Sequence, residues 1–162
     1  MRLSELAGPE ADRRLAALEA RWARGGLPGF DDAAAYLEVL LALGEYARAR
    51  TQAGQWQAQD RHNAHLAYHY ARFLAHEDES AGLQWLEEQS RLHRTDPNWG
   101  VVLARLQMEF GRHAAGLDTL GELLDRTSGW PHLFSTYAFQ AMYAPGVDPV
   151  RTLALLKQWA PR

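Results

Sequence analysis

The 162-residue chain has no cysteine, which excludes disulfides, thiolate nucleophiles and Cys-ligated zinc. Lysine is almost as scarce: Lys157 stands alone, so arginine supplies nearly all the positive charge. The formal charge is -3, and no stretch gathers the Lys and Arg that a broad nucleic-acid interface needs. No apolar run approaches the ~18 residues of a membrane span, and Met1 to Leu6 holds no secretory core. Cytoplasmic residence without membrane or nucleic-acid contact is therefore the expectation. Also missing are a Gly-rich phosphate loop, a Gly-x-Ser-x-Gly elbow and the polar-apolar alternation of strands. With 47% hydrophobic and 23% charged residues, the apolar content suffices for one core, expected as a single domain over residues 1–162.

What is present is repetition. Breaks at Gly44, Asp78, Gly111 and Pro145 fall 33 or 34 residues apart. Seven residues before them stand Leu37, Ala71, Ala104 and Ala138, and eight before stand Tyr36, Tyr70, Leu103 and Tyr137. Small residues there let paired helices approach closely, with the tyrosines filling the space beside them.

A leading helix is expected from Pro9 through Leu15, Leu18 and Trp22 to Gly25-Gly26, followed by the Leu27-Pro28-Gly29 connector. Asp31 or Asp32 is expected to cap the next helix, with Tyr36, Leu37, Leu40 and Leu41 as its apolar stripe. In the helix after Gly44, Gly54 and the polar run Gln55 to Asp60 predict fraying or a bend, and an exposed Trp56. The run Glu77-Asp78-Glu79-Ser80 is expected to break one helix and cap the next. The helix after that run is expected to end before Asp96-Pro97, Ala144-Pro145-Gly146 marks the last break, and Asp148-Pro149 the last helix start. The six tryptophans, Trp22, Trp56, Trp85, Trp99, Trp130 and Trp159, are expected mostly between helices.

Hairpins of this period, with Leu43-Gly44-Glu45-Tyr46-Ala47-Arg48-Ala49 and Leu103-Ala104 through Gly111 and Gly116 to Leu120 as the best matches, resemble tetratricopeptide repeats (TPR). The resemblance covers about Asp31 to Trp159. It departs from the family pattern at Leu37, Asp78, Pro145 and in the second hairpin, whose small residue Ala81 comes two places early. It implies an all-α, right-handed solenoid of about four TPR-like hairpins over residues 30–162, preceded by one N-terminal helix and connector in 1–29. It also implies a non-catalytic module that holds a peptide or partner protein in a polar concave groove.

The register that the resemblance supplies puts Asp31, Glu38, His65, His69, Arg72, His76, Asn98, Arg105, Glu109, His132 and Tyr143 along that groove. From these and their neighbour Tyr68, the expected partner-binding set is His65, Tyr68, His69, Arg72, His76, Asn98, Arg105 and Glu109. Arg72 and Arg105, at equivalent positions, would orient a carboxylate or extended backbone, and the others would supply directional hydrogen bonds. The Lys and Asn with which some TPR domains grip a chaperone C-terminus are replaced here by Asp31, His65, Asn98, Ala35, His69 and Val102, so that clamp is absent.

An alternative reading rests on residues alone. His62, His65, His69 and His76 share one side of a helix, and His65-x-x-x-His69 has metal-ligand spacing, the pattern of a metal-dependent helical enzyme or metal sensor. Leu66 follows His65 where a carboxylate base would stand, and a third ligand is not apparent, so no enzyme, metal or cofactor is expected. The last helix, with Leu153, Leu156 and Trp159 on one face, has no following repeat to cover it and is a candidate homodimer surface.

Overall fold

The computed structural model describes residues 9–22, 27–127, 131–143, 146 and 148–159. Among them are nine α-helices and no strand: α1 Pro9–Trp22, α2 Phe30–Ala42, α3 Tyr46–Gln59, α4 Ala64–Glu77, α5 Glu79–Leu92, α6 Pro97–Glu109, α7 His113–Arg126, α8 Pro131–Tyr143 and α9 Pro149–Trp159. The chain forms two compact units, residues 1–73 and 74–162, and the division falls inside α4.

Two of the turns have the same construction. After α2 and α6, Gly44 and Gly111 both take φ 75, a left-handed conformation that a Cβ would strain. Gly44 N–H donates to Leu41 O at 3.1 Å and Glu45 N–H to Leu40 O at 2.9 Å; Gly111 N–H donates to Met108 O at 3.0 Å and Arg112 N–H to Gln107 O at 2.8 Å. This is the Schellman pattern, in which carbonyls orphaned at a helix end are satisfied by the residues that turn away. Glu45 and Arg112 then start α3 and α7 with φ, ψ of -83, 50 and -84, 56. The α4–α5 link is shorter. Asp78 alone separates the helices, extended at φ -144, and its side chain accepts from Ala81 N–H as an N-cap.

Ala49, Gly82, Gly116 and Thr152 each lie four residues after Glu45, Asp78, Arg112 and Asp148, and each donates its amide to that residue's carbonyl at 3.0 Å. All four are buried. In α5 the buried small residue is Gly82, and Ala81, the small residue singled out from the sequence, is exposed.

In the first unit, Ala11 and Leu15 of α1 join Ala33, Tyr36, Leu37, Val39 and Leu40 of α2, Ala49, Ala53 and Trp56 of α3, and Leu66 and Phe73 of α4 in one apolar cluster. The leading helix is thus part of the core. Arg21 grips Asp32 with two parallel bonds of 3.0 Å each, the fork geometry that guanidinium and carboxylate favour. Asp32 is therefore an ion-pair partner and not a cap: Gly29 holds the N-cap position, α2 begins at Phe30, and both aspartates sit in the first turn, where the helix dipole favours negative charge. The expected bend at Gly54 does not occur, because α3 runs unbroken to Gln59, with the Tyr70 ring lying where a Gly54 side chain would project. Trp56 is 4% exposed, contrary to the expectation, and its ring meets Tyr36 at 5.6 Å. Ala49, Ala53 and Trp56 follow i, i+4, i+7 and so share one face; the polar neighbours occupy the others.

Glu19 ties three helices together, its Oε1 accepting from Tyr36 Oη at 2.9 Å and from Arg48 Nη2 at 2.8 Å. Burial, the hydrogen bond to Glu19 and the charge of Glu19 raise the Tyr36 pKa above 10.0, while Arg48 acts in the opposite direction. Because the folded value exceeds the unfolded one, this stability is fully present below pH ~10 and is lost as pH rises through the folded pKa. Urea unfolding between about pH 9 and 11 should therefore show a steeper loss of stability in the native protein than in Tyr36→Phe. Equal slopes would mean that the phenol titrates alike in both states.

In the second unit, α6 and α7 pack around Gly116, where an added Cβ would lie 3.0 Å from the Ala104 carbonyl oxygen and closer still to Met108. Ala104, Leu117, Leu120 and Leu123 continue through Leu133, Tyr137 and Ala141 of α8 as one cluster. Asp96 caps α6 and Pro97 takes its first turn, so the pair that the sequence marks as a helix end is also a helix start. Arg112 bonds Glu79 at 2.8 and 2.9 Å, linking the starts of α7 and α5. The break expected at Ala144-Pro145-Gly146 lies mostly outside the described residues; Gly146 has φ 74.

Candidate partner-binding surface

The structure distributes the expected binding residues between the two units. His65, Tyr68, His69 and Arg72 belong to the first, and His76, Asn98, Arg105 and Glu109 to the second.

In the first unit, Asn63 Oδ1 accepts from His65 N–H at 3.1 Å and Leu66 N–H at 3.3 Å, fixing the start of α4. The Phe30 ring then covers both imidazoles, with centroids 4.7 Å from His65 and 5.5 Å from His69, the second nearly parallel. His65 stays exposed, but His69 is 4% exposed and Tyr68 2%. These two are interior residues in place of the expected surface hydrogen-bonders, and the Tyr68 and His69 rings meet edge to face at 5.3 Å. Arg72 is half-buried. A cap at Asp31 or Asp32, two or three residues beyond the observed cap Gly29, leaves Phe30 outside the helix and so gives the sequence no sign of its role. Among the described residues, no group of three or more His, Cys, Asp or Glu is placed to hold an ion.

In the second unit, α6 is enclosed on most of its circumference: Trp99, Gly100, Val102, Leu103, Ala104, Leu106 and Gln107 are buried. What it leaves exposed is Asn98, Arg105 and Glu109, which fall at i, i+7 and i+11 along a single line. Asn98 is tied to the cap, its N–H and Nδ2 donating to Asp96 Oδ1 at 3.0 and 2.9 Å. Beyond Asn98 the exposed line continues with Arg105 and Glu109, a guanidinium and a carboxylate one turn apart. α2 of the first unit has the same layout, with Asp31, Ala35 and Glu38 exposed over a buried Ala33, Tyr36, Leu37, Val39 and Leu40. His76 is exposed, with its ring 5.2 Å from Phe110, and His132 is exposed on α8. The Tyr143 side chain lies outside the described residues.

Exposed apolar side chains collect near the C-terminus: Phe139 and Met142 of α8 and Val150 and Leu153 of α9. Of the residues expected at a homodimer surface, Leu153 is exposed, and the side chains of Leu156 and Trp159 lie outside the described residues. No described helix is long and apolar enough to cross a membrane.

Compared with protein-family models, with curated proteins and with solved structures, the chain matches none.

Proposed function

We propose that this protein is a non-catalytic interaction module, built of TPR-like helical hairpins stacked as a solenoid, that binds a peptide or partner protein along the exposed lines of its first helices. The observation that carries this reading is the layout shared by α2 and α6. Each buries most of its surface and keeps polar residues open at positions 67 residues apart, Asp31 with Asn98 and Glu38 with Arg105, while exposed Ala35 corresponds to buried Val102. The two matching Schellman turns and the small residues at 49, 82, 116 and 152 support a repeated unit. A repeat that buries its faces against neighbours has only such lines left for recognition. The α2 line is acidic and the α6 line carries both signs, so the bound segment should itself carry charges of both signs.

The test is a peptide-display selection on the intact protein, followed by affinity measurement on Arg105→Ala and Glu109→Ala variants. Selected peptides are expected to lose about tenfold or more in affinity with either variant, as removal of a charged hydrogen-bond partner predicts. Peptides that bind equally well to both variants would place recognition elsewhere, and the reading of the α6 line would be abandoned.

A further inference from the structure

A cavity of about 370 Å³ in the second unit is lined by Ser90 and Arg91 of α5, Arg94 of the following turn, Gly100 of α6, and Thr119, Glu122, Leu123 and Arg126 of α7. We propose that it binds a small organic dianion, a phosphate monoester or a dicarboxylate. This inference is independent of the α6 line, from which it shares no residue.

The charge of the lining is the first argument. Three arginines against one glutamate leave two positive charges over, on a chain whose formal charge is -3. Arg91 and Arg126 also sit in the last turns of α5 and α7, where the helix dipole favours cations, but Arg94 lies beyond the end of α5 and has no such reason to be there. The second argument is availability. Arg91 makes one long contact of 3.8 Å to Glu87, with its side chain 77% exposed, a pair that a ligand displaces at little cost. Among the described residues, the side chain of neither Arg94 nor Arg126 makes a hydrogen bond or ion pair.

The third argument is shape. Gly100 and Leu123 are buried and give the cavity an apolar floor, and Gly100 has no room for a side chain because a Cβ would meet both Leu123 methyls within 2.8 Å. An apolar floor under a charged rim, in a volume within the usual ~300–1,000 Å³ of ligand sites, suits a small molecule with a hydrocarbon body and an anionic end. The Thr119 hydroxyl is engaged inside, 2.9 Å from Gln107 Oε1 and 3.0 Å from the Ala115 carbonyl, so donation to the anion falls to the guanidiniums and Ser90. A guanidinium matches phosphate and carboxylate oxygens bidentately. A phosphate monoester or a dicarboxylate carries about two charges at neutral pH and balances the rim, whereas a monocarboxylate leaves one positive charge uncompensated.

Titration calorimetry of the full chain at constant ionic strength, with phenyl phosphate, succinate and benzoate as probes, tests the assignment. Phenyl phosphate or succinate should bind one per chain, with benzoate at least about tenfold weaker, and whichever dianion binds tells phosphate from dicarboxylate recognition. Arg94→Gln with Arg126→Gln should weaken the bound dianion about tenfold or more, and Glu122→Gln should tighten it severalfold. The proposal fails if neither dianion binds, if benzoate binds as well, or if the double arginine variant binds unchanged.

Discussion

Trp56→Ala is expected to destabilise the first unit by about 3–5 kcal/mol, the cost of truncating a fully packed tryptophan. The indole is 4% exposed and closes the cluster of α1, α2 and α3, resting on Tyr36 at 5.6 Å. Only Ala49 and Ala53 accompany it on the buried face of α3, and two methyl groups cannot refill the volume it vacates. The unfolding midpoint in urea should fall by roughly 1–3 M for a domain of this size. Trp56→Phe, which keeps an aromatic ring, should recover more than half of the loss. The loss reaches Tyr36 as well, since its ring packs on the indole and its hydroxyl holds Glu19, which in turn holds Arg48. A Trp56→Ala midpoint within experimental error of the native one would mean that the side chain is solvated, as the sequence alone suggested.

The helices were legible because their signals are local. Glycine at 44 and 111, proline at 97 and 149 and aspartate at 78 and 96 act through the backbone of the next few residues, and the structure places a helix end or start at each. The residues that went astray answer to something outside their own segment. Asp32 was read as a cap and is held by Arg21, eleven positions away. Trp56 was judged by its glutamine neighbours, although Ala49 and Ala53 on its own helical face pointed the other way. Repeat register puts His69 on the surface, with Tyr68 beside it, but register fixes an angle around the helix and not what comes to lie over it; over His69 lies Phe30. The arginine-lined cavity left no mark in the sequence, because Arg91, Arg94 and Arg126 converge only after α5 and α7 have been placed beside Gly100. Lysine scarcity was the nearest hint: in this chain recognition of an anion falls almost entirely to arginine.

Gly82→Ala should cost the second unit about 2 kcal/mol or more, although alanine is the better helix former by ~1 kcal/mol. The reason is the backbone of α4. A Cβ on Gly82 would lie 2.5 Å from the Ala75 Cβ and 2.6 Å from its Cα, and closer still to its amide nitrogen, so no side-chain rotation relieves the clash and the helices must separate. Gly54 offers the contrasting case in the other unit. Its added Cβ would meet only the half-buried Tyr70 ring, at 3.2 and 3.5 Å, a contact that a ring shift of a few tenths of an ångström relieves. Gly54→Ala is therefore expected to lie between neutral and about 1 kcal/mol more stable than the native chain. The opposite signs separate packing from propensity, since both glycines sit inside helices and propensity treats them alike. Urea unfolding of the two variants decides the matter: a Gly82→Ala chain as stable as the native one would show that α4 and α5 do not approach closely at Ala75. The one-residue link at Asp78 would then have to be explained without the contact that it makes possible.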